Sequence, residues 1–209
     1  MKVLLPLFFI LFVFEDLKGQ TKKQSKAESY FQLGYAEVDK GNYDKAITHF
    51  EKAIKSDPTG NCGTNIKGKA HSELGYAYFR TGDSAQAMVY YNRAIQFDKR
   101  NPYPRVNKAA LLLMQKKNQA AQRELDALIA TNPNFIDGYV QRGFIHHSEN
   151  QLEMAKTDFT KALDLNAEQK ILPLPLLKTI HSRLDEINRI LTPKEIPVVE
   201  RDSTLTPAD

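Results

Sequence analysis

The chain has one cysteine, Cys62, and no tryptophan among its 209 residues. A lone cysteine excludes an intrachain disulfide framework, so stability has to come from packing. No glycine-rich phosphate loop, paired-cysteine motif or strand pattern able to carry a nucleophile elbow is present. The five histidines are His49, His71, His146, His147 and His181. Only His146 and His147 adjoin, and helical neighbours diverge by about 100°, which prevents easy sharing of one metal. The sequence therefore predicts no catalytic residues, no metal site and no cofactor. Charge of one sign is scarce as well. The formal net charge is only +4, with 42% hydrophobic and 26% charged residues, which predicts a folded chain with a solvated exterior.

Long apolar runs are missing except at the start. Met1 and Lys2 precede Val3 to Phe14, interrupted only by Pro6 and closed by Glu15, Asp16 and Lys18. Twelve residues of helix rise about 18 Å, short of a hydrocarbon core of about 30 Å. The run reads as a signal peptide over 1–19 rather than a spanning helix, which predicts export to a periplasmic or extracellular location. A retained anchor is the alternative. Cys62 lies far from this leader, so no lipid-modified amino-terminal cysteine is expected.

Beyond the leader the sequence repeats. Gly34, Gly75, Ala109 and Gly143 are separated by 41, 34 and 34 residues. Ala46, Ala87, Ala121 and Ala155 show the same separations, 41, 34 and 34. Phe50, Tyr91, Leu125 and Phe159 follow those alanines by four, and Ala53, Ala94, Leu128 and Ala162 follow by three more. Such spacing puts all three on one helical face. Gly41-Asn42, Gly82-Asp83, Lys117-Asn118 and Asn150-Gln151 supply turns, and Pro58 and Pro133 stop second helices. A small residue lets two backbones approach where helices cross, and the large residue fills the adjoining groove. One hairpin cannot bury its apolar faces alone, so the units must stack.

The pattern resembles the tetratricopeptide repeat, a unit of 34 residues. Tyr30-Phe31-Gln32-Leu33-Gly34 through Ala46, Phe50, Ala53 and Pro58 carries the first match. Leu74-Gly75, Tyr78, Ala87 and Tyr91 carry the second, and Tyr139, Gly143, Ala155, Phe159 and Ala162 the fourth. The resemblance covers about residues 27 to 167. It implies an all-α fold: a right-handed α-solenoid of four helical hairpins with a C-terminal capping helix. The expected divisions are 27–60, an inserted loop at 61–67, then 68–101, a degenerate 102–135, and 136–167. Arg105 and Lys108 make the third unit degenerate, since they replace an aromatic and a leucine; either its first helix is rotated or the two stems snorkel outward. After Leu172-Pro173-Leu174-Pro175, a capping helix is expected over 175–191, with Leu177, Ile180, Leu184, Ile187 and Leu191 inward. Its polar face carries Lys178, Arg183, Asp185, Glu186 and Arg189. Residues 192–209, with Pro193, Pro197 and Pro207, are expected to form a flexible tail.

Members of this family bind protein segments in a concave groove lined by the first helix of each hairpin. Carried over, the groove residues are Phe31, Tyr35, Val38, Lys69, Ser72, Tyr76, Phe79, Val106, Ala110, Leu113, Val140, Phe144 and His147. The carboxylate-clamping lysines, asparagines and arginine of chaperone-binding members are not matched. An apolar, aromatic groove suits an extended or helical segment with hydrophobic anchors, although the same residues also suit packing between helices. Seven basic residues, Lys99, Arg100, Arg105, Lys108, Lys116, Lys117 and Arg123, form a basic patch against two acids, Asp98 and Glu124. It reads as a solvated face or as a dock for an acidic segment or lipid headgroups. No aromatics interleave with it for stacking on bases, so no nucleic acid is expected. The expected function is a non-enzymatic protein-protein interaction module or assembly scaffold of the envelope or secreted fraction. An unidentified protein or peptide is its partner. Peripheral membrane association and a homo-oligomer remain open, with a self-associating structural protein as the competing function and an enzyme with an unrecognised site a poorer one.

Overall fold

The computed structural model describes residues 26–57 and 66–192. The leader at 1–19, Pro58, Cys62, most of the inserted loop and residues 193–209 lie outside the described residues. Among the described residues every regular element is an α-helix: α1 (26–39), α2 (Tyr43–Ser56), α3 (Ile66–Arg80), α4 (Ser84–Phe97), α5 (Tyr103–Met114), α6 (Asn118–Thr131), α7 (Ile136–Ser148), α8 (Leu152–Gln169) and α9 (Leu174–Leu191). This is an α-solenoid of helical hairpins. Ile66 and Lys67, assigned to the inserted loop from the sequence, open α3, because Ile66 is buried and belongs to its apolar face.

The chain divides into two compact units, residues 1–142 and 143–209. In the first, α2 packs on α3, α3 on α4, α4 on α5 and α5 on α6. Helices α3 and α5 also touch, which is how the first helices of successive hairpins meet when hairpins stack. One core cluster joins Ala46, Phe50 and Ala53 to Ala70 and Leu74, with Tyr30, Phe31 and Val38 against it. In the second unit α8 packs on α9, and Ile180 and Ile187 of α9 are fully buried.

All twelve repeat-marker residues of the second helices, from Ala46 to Ala162, are fully buried. The small residue of each first helix answers the large residue 16 positions on. A Cβ on Gly34 would stand 2.6 Å from the Phe50 ring, and one on Gly75 2.5 Å from the Tyr91 ring. One on Gly143 would stand 2.8 Å from the Phe159 ring. Where the large residue is Leu125, which is narrower than a ring, the small one is Ala109, and both are fully buried. Helix crossing is thus matched residue to residue.

The turns obey the same ruler. Gly41 (φ 77°), Gly82 (φ 91°), Lys116 (φ 58°) and Asn150 (φ 59°) are all left-handed. At each, two hydrogen bonds close the helix: Gly41 N to Val38 O and Asn42 N to Glu37 O at 2.9 and 2.8 Å, with equivalents such as Lys116 N to Leu113 O and Lys117 N to Leu112 O, both 2.9 Å. The third turn therefore centres on Lys116, one residue before the Lys117-Asn118 pair expected from the sequence. Lysine gives no sequence signal for a left-handed position, whereas glycine does.

Arg105 and Lys108 do not snorkel to solvent, their side chains being 16% and 17% exposed. Both reach Glu124 on α6, at 3.1 Å (Nη1 to Oε2) and 2.7 Å (Nζ to Oε1). The degenerate unit carries a half-buried charge triad that ties α5 to α6.

Candidate functional site

Helix α1 presents Phe31, Tyr35 and Val38, and α3 presents Lys69, Ser72, Tyr76 and Phe79. Tyr35 is 47% exposed, 6.5 Å ring to ring from Phe31, and Lys69 is exposed. Phe31 lies half-buried against Phe50 at 5.7 Å. Tyr76 meets Tyr43 edge-on at 6.3 Å, and Arg80 lies over both rings, 4.6 Å from Tyr43 and 5.6 Å from Tyr76. Arg80 Nη1 also donates to Tyr76 Oη at 2.6 Å. One guanidinium thereby contacts both members of an aromatic pair.

Not every expected groove residue faces outward. Ser72, Val106 and Val140 are only 3%, 6% and 5% exposed, so they are buried rather than outward-facing. Ala110 and Leu113 of α5 are half-buried. In the second unit Phe144 packs edge-on to Phe159 at 5.0 Å, and His147 Nε2 stands 3.6 Å from Glu186 Oε2 on α9. The adjacent His146 turns the other way: its Nδ1 is 3.0 Å from Asp158 Oδ2, with side chains 2% and 4% exposed. The histidine pair is divided between two jobs, as helical divergence requires. Among the described residues no group of three or more potential metal ligands gathers. No helix among them is long and apolar enough to cross a membrane.

Of the basic residues, Lys99, Arg100, Lys116, Lys117 and Arg123 are exposed, while Arg105 and Lys108 are held by Glu124. Lys99 and Arg100 precede α5, whereas Lys116 and Lys117 follow it, so the two pairs stand at opposite ends of that helix.

A cleft of about 360 Å³ lies in the first unit. Phe31, Lys69, Ser72, Glu73, Asp98, Arg100, Asn101 and Tyr103 line it. Asp98 is committed to its own turn, where Oδ1 accepts from the backbone N of Arg100 and Asn101 at 3.0 and 3.2 Å. Burial pushes the Glu73 carboxyl up to about 7. It also raises the fully buried Tyr91 phenol, with Glu73 and then Tyr76 adding to the effect. Behind the same helix, His71 is stacked between Tyr90 and Phe97, at 5.7 and 5.2 Å. Burial, reinforced by Arg93 and Lys67, lowers its pKa to about 4 and keeps it neutral. Glu73 escaped the sequence reading because single acids give no cluster. Its one signal was spacing, four after Lys69 and three before Tyr76, on the face that both share.

Models of the tetratricopeptide repeat match residues 25–100, 78–142 and 136–169. The chain belongs to the tetratricopeptide repeat family. A tetratricopeptide repeat protein from Parabacteroides merdae superposes with a TM-score of 0.64 at 21% identity, over 78% of this chain and 60% of that one. YrrB, described as a tetratricopeptide repeat protein with an unusual peptide-binding site, superposes with a TM-score of 0.56 at 21% identity, over 76% of this chain and 75% of that one. These likenesses establish the fold. The UDP-N-acetylglucosamine–peptide N-acetylglucosaminyltransferase of Giardia intestinalis is 30% identical over 67 residues. The chain spans 32% of its own length in that match but only 4% of the transferase, so the likeness is to a short stretch of that protein.

Proposed function

We propose that the chain is a non-catalytic interaction module that holds a segment of another protein along the faces of α1 and α3, and that it works outside the cytoplasm. The observation that carries this is the aromatic series on those helices: Phe31 and Tyr35, then Tyr76 clamped beside Tyr43 by Arg80. Large, rigid aromatics with a polar tip are favoured anchors, because they bury much area at little entropic cost. The peptide-binding site named for YrrB supports the class of partner. Export rests on the apolar run Val3 to Phe14 behind Lys2. The His146–Asp158 pair, with side chains 2% and 4% exposed, is closed to a substrate.

The test compares co-purification from the native envelope by the wild type and by Tyr35→Ala with Tyr76→Ala. Loss of a foreign partner with unchanged helical content is the expected result. Undiminished capture by the double variant would move the site elsewhere, and recovery of only a second copy would make the chain a self-associating structural protein.

A further inference from the structure

We propose that the Glu73 cleft receives a lysine or arginine side chain from the partner segment, its cation meeting the Glu73 carboxylate and its stem lying along the Phe31 and Tyr103 rings. This deepens the partner-segment reading above and rests on it. Three observations carry it. The cleft is a cavity of about 360 Å³, large enough for one long side chain. Phe31 and Tyr103, the latter 59% exposed, give it apolar walls. The Glu73 carboxylate, half-buried within it, makes no hydrogen bond or ion pair among the described residues.

The charged groups around Glu73 do not replace the missing cation. On α3, Lys69 is exposed, and Arg100, in the turn before α5, is exposed too. From α4, Tyr91 faces Glu73 with a phenol that cannot supply charge, and Tyr76 adds a second phenol nearby. Asp98 is engaged by the backbone of its own turn. Burial is the cause that lifts Glu73 to about 7, with no compensation from Lys69 or Arg100. A carboxylate dehydrated in this way gains more from an arriving cation than one at the surface does. The exposed Lys69 and Arg100 beside it favour a segment whose cation is followed by an acid rather than by further bases.

Charge sign fixes the linkage. A cation binds the ionised carboxylate, so capture strengthens as pH rises through 7. A neutral group accepting a proton from the acid form would bind more weakly as pH rises.

The experiment is an NMR titration of the ¹⁵N-labelled full chain with acetylated tripeptide amides Gly-Lys-Gly, Gly-Arg-Gly and Gly-norleucine-Gly. At pH 6 a carboxyl with pKa about 7 is ionised to about one part in ten, and at pH 8 to about nine in ten. Lysine and arginine peptides should therefore shift the Ser72, Asn101 and Tyr103 amides with affinity about tenfold higher at pH 8. The norleucine peptide should not bind, and Glu73→Gln should lose both the binding and its pH dependence. Equal binding of norleucine, lysine binding that survives Glu73→Gln, affinity that falls with pH, or no lysine-dependent shift at all would each overturn the proposal. Failure here leaves the groove reading intact, because Tyr35→Ala with Tyr76→Ala tests that separately.

Discussion

Replacing Glu73 by glutamine should stabilise the protein at pH 8 and leave it unchanged below pH 4.5. The carboxyl titrates at about 7 in the fold against 4.5 in the unfolded chain. A raised folded pKa means that the acid form is favoured on folding. Its penalty is absent at low pH, grows as pH rises through 4.5 to 7, and is complete above 7. The full shift corresponds to about 3 kcal/mol at about 1.4 kcal/mol per unit. His71 works in the opposite sense. Its folded pKa, about 4, lies below the unfolded 6.5, so its penalty grows as pH falls from 6.5 towards 4. Between about pH 4.5 and 6.5 the folded state holds one proton more at Glu73 and one fewer at His71, and the two slopes cancel. Glutamine at 73 removes one of them. In the variant, stability should then rise by about 1.4 kcal/mol per pH unit across that window, where the wild type gains nothing from this pair. Urea titrations at half-unit steps from pH 4 to 8, followed by helical circular dichroism with the m-value held constant, give the difference directly. Groups common to both proteins drop out of it. A stability difference that is the same at pH 4.5 and pH 8 would refute the reasoning.

Two further predictions concern packing and turns. Gly75→Ala should cost about 1–3 kcal/mol in thermal or urea unfolding, because the new methyl falls 2.5 Å from the fully buried Tyr91 ring; an unchanged midpoint would show that the crossing of α3 and α4 yields easily. Lys116→Gly should stabilise by about 0.5–1 kcal/mol, since a left-handed lysine costs about 1–2 kcal/mol and glycine's greater unfolded freedom returns only part of that; loss of stability would mean that the third turn is not held left-handed.

The hairpins were legible in the sequence because their determinants are local and periodic. Gly34 with Phe50, Gly75 with Tyr91 and Gly143 with Phe159 recur at a fixed offset, and that offset is set by helix geometry and a short turn. Two of the four left-handed turn residues announced themselves as glycine, while Lys116 and Asn150 adopt the same φ because the closing hydrogen bonds and the next helix demand it. What the tertiary structure alone decided is the state of individual charges. Glu124 draws in Arg105 from 19 residues away and Lys108 from 16, turning two expected surface charges into a link between helices. Glu73 is dehydrated by a cleft whose walls come from α1, α3 and the segment leading into α5, and His71 is kept neutral between two rings of α4. Periodicity tells which face a residue occupies. Solvation and charge depend on every neighbour in space, and those neighbours are assembled only when the hairpins stack.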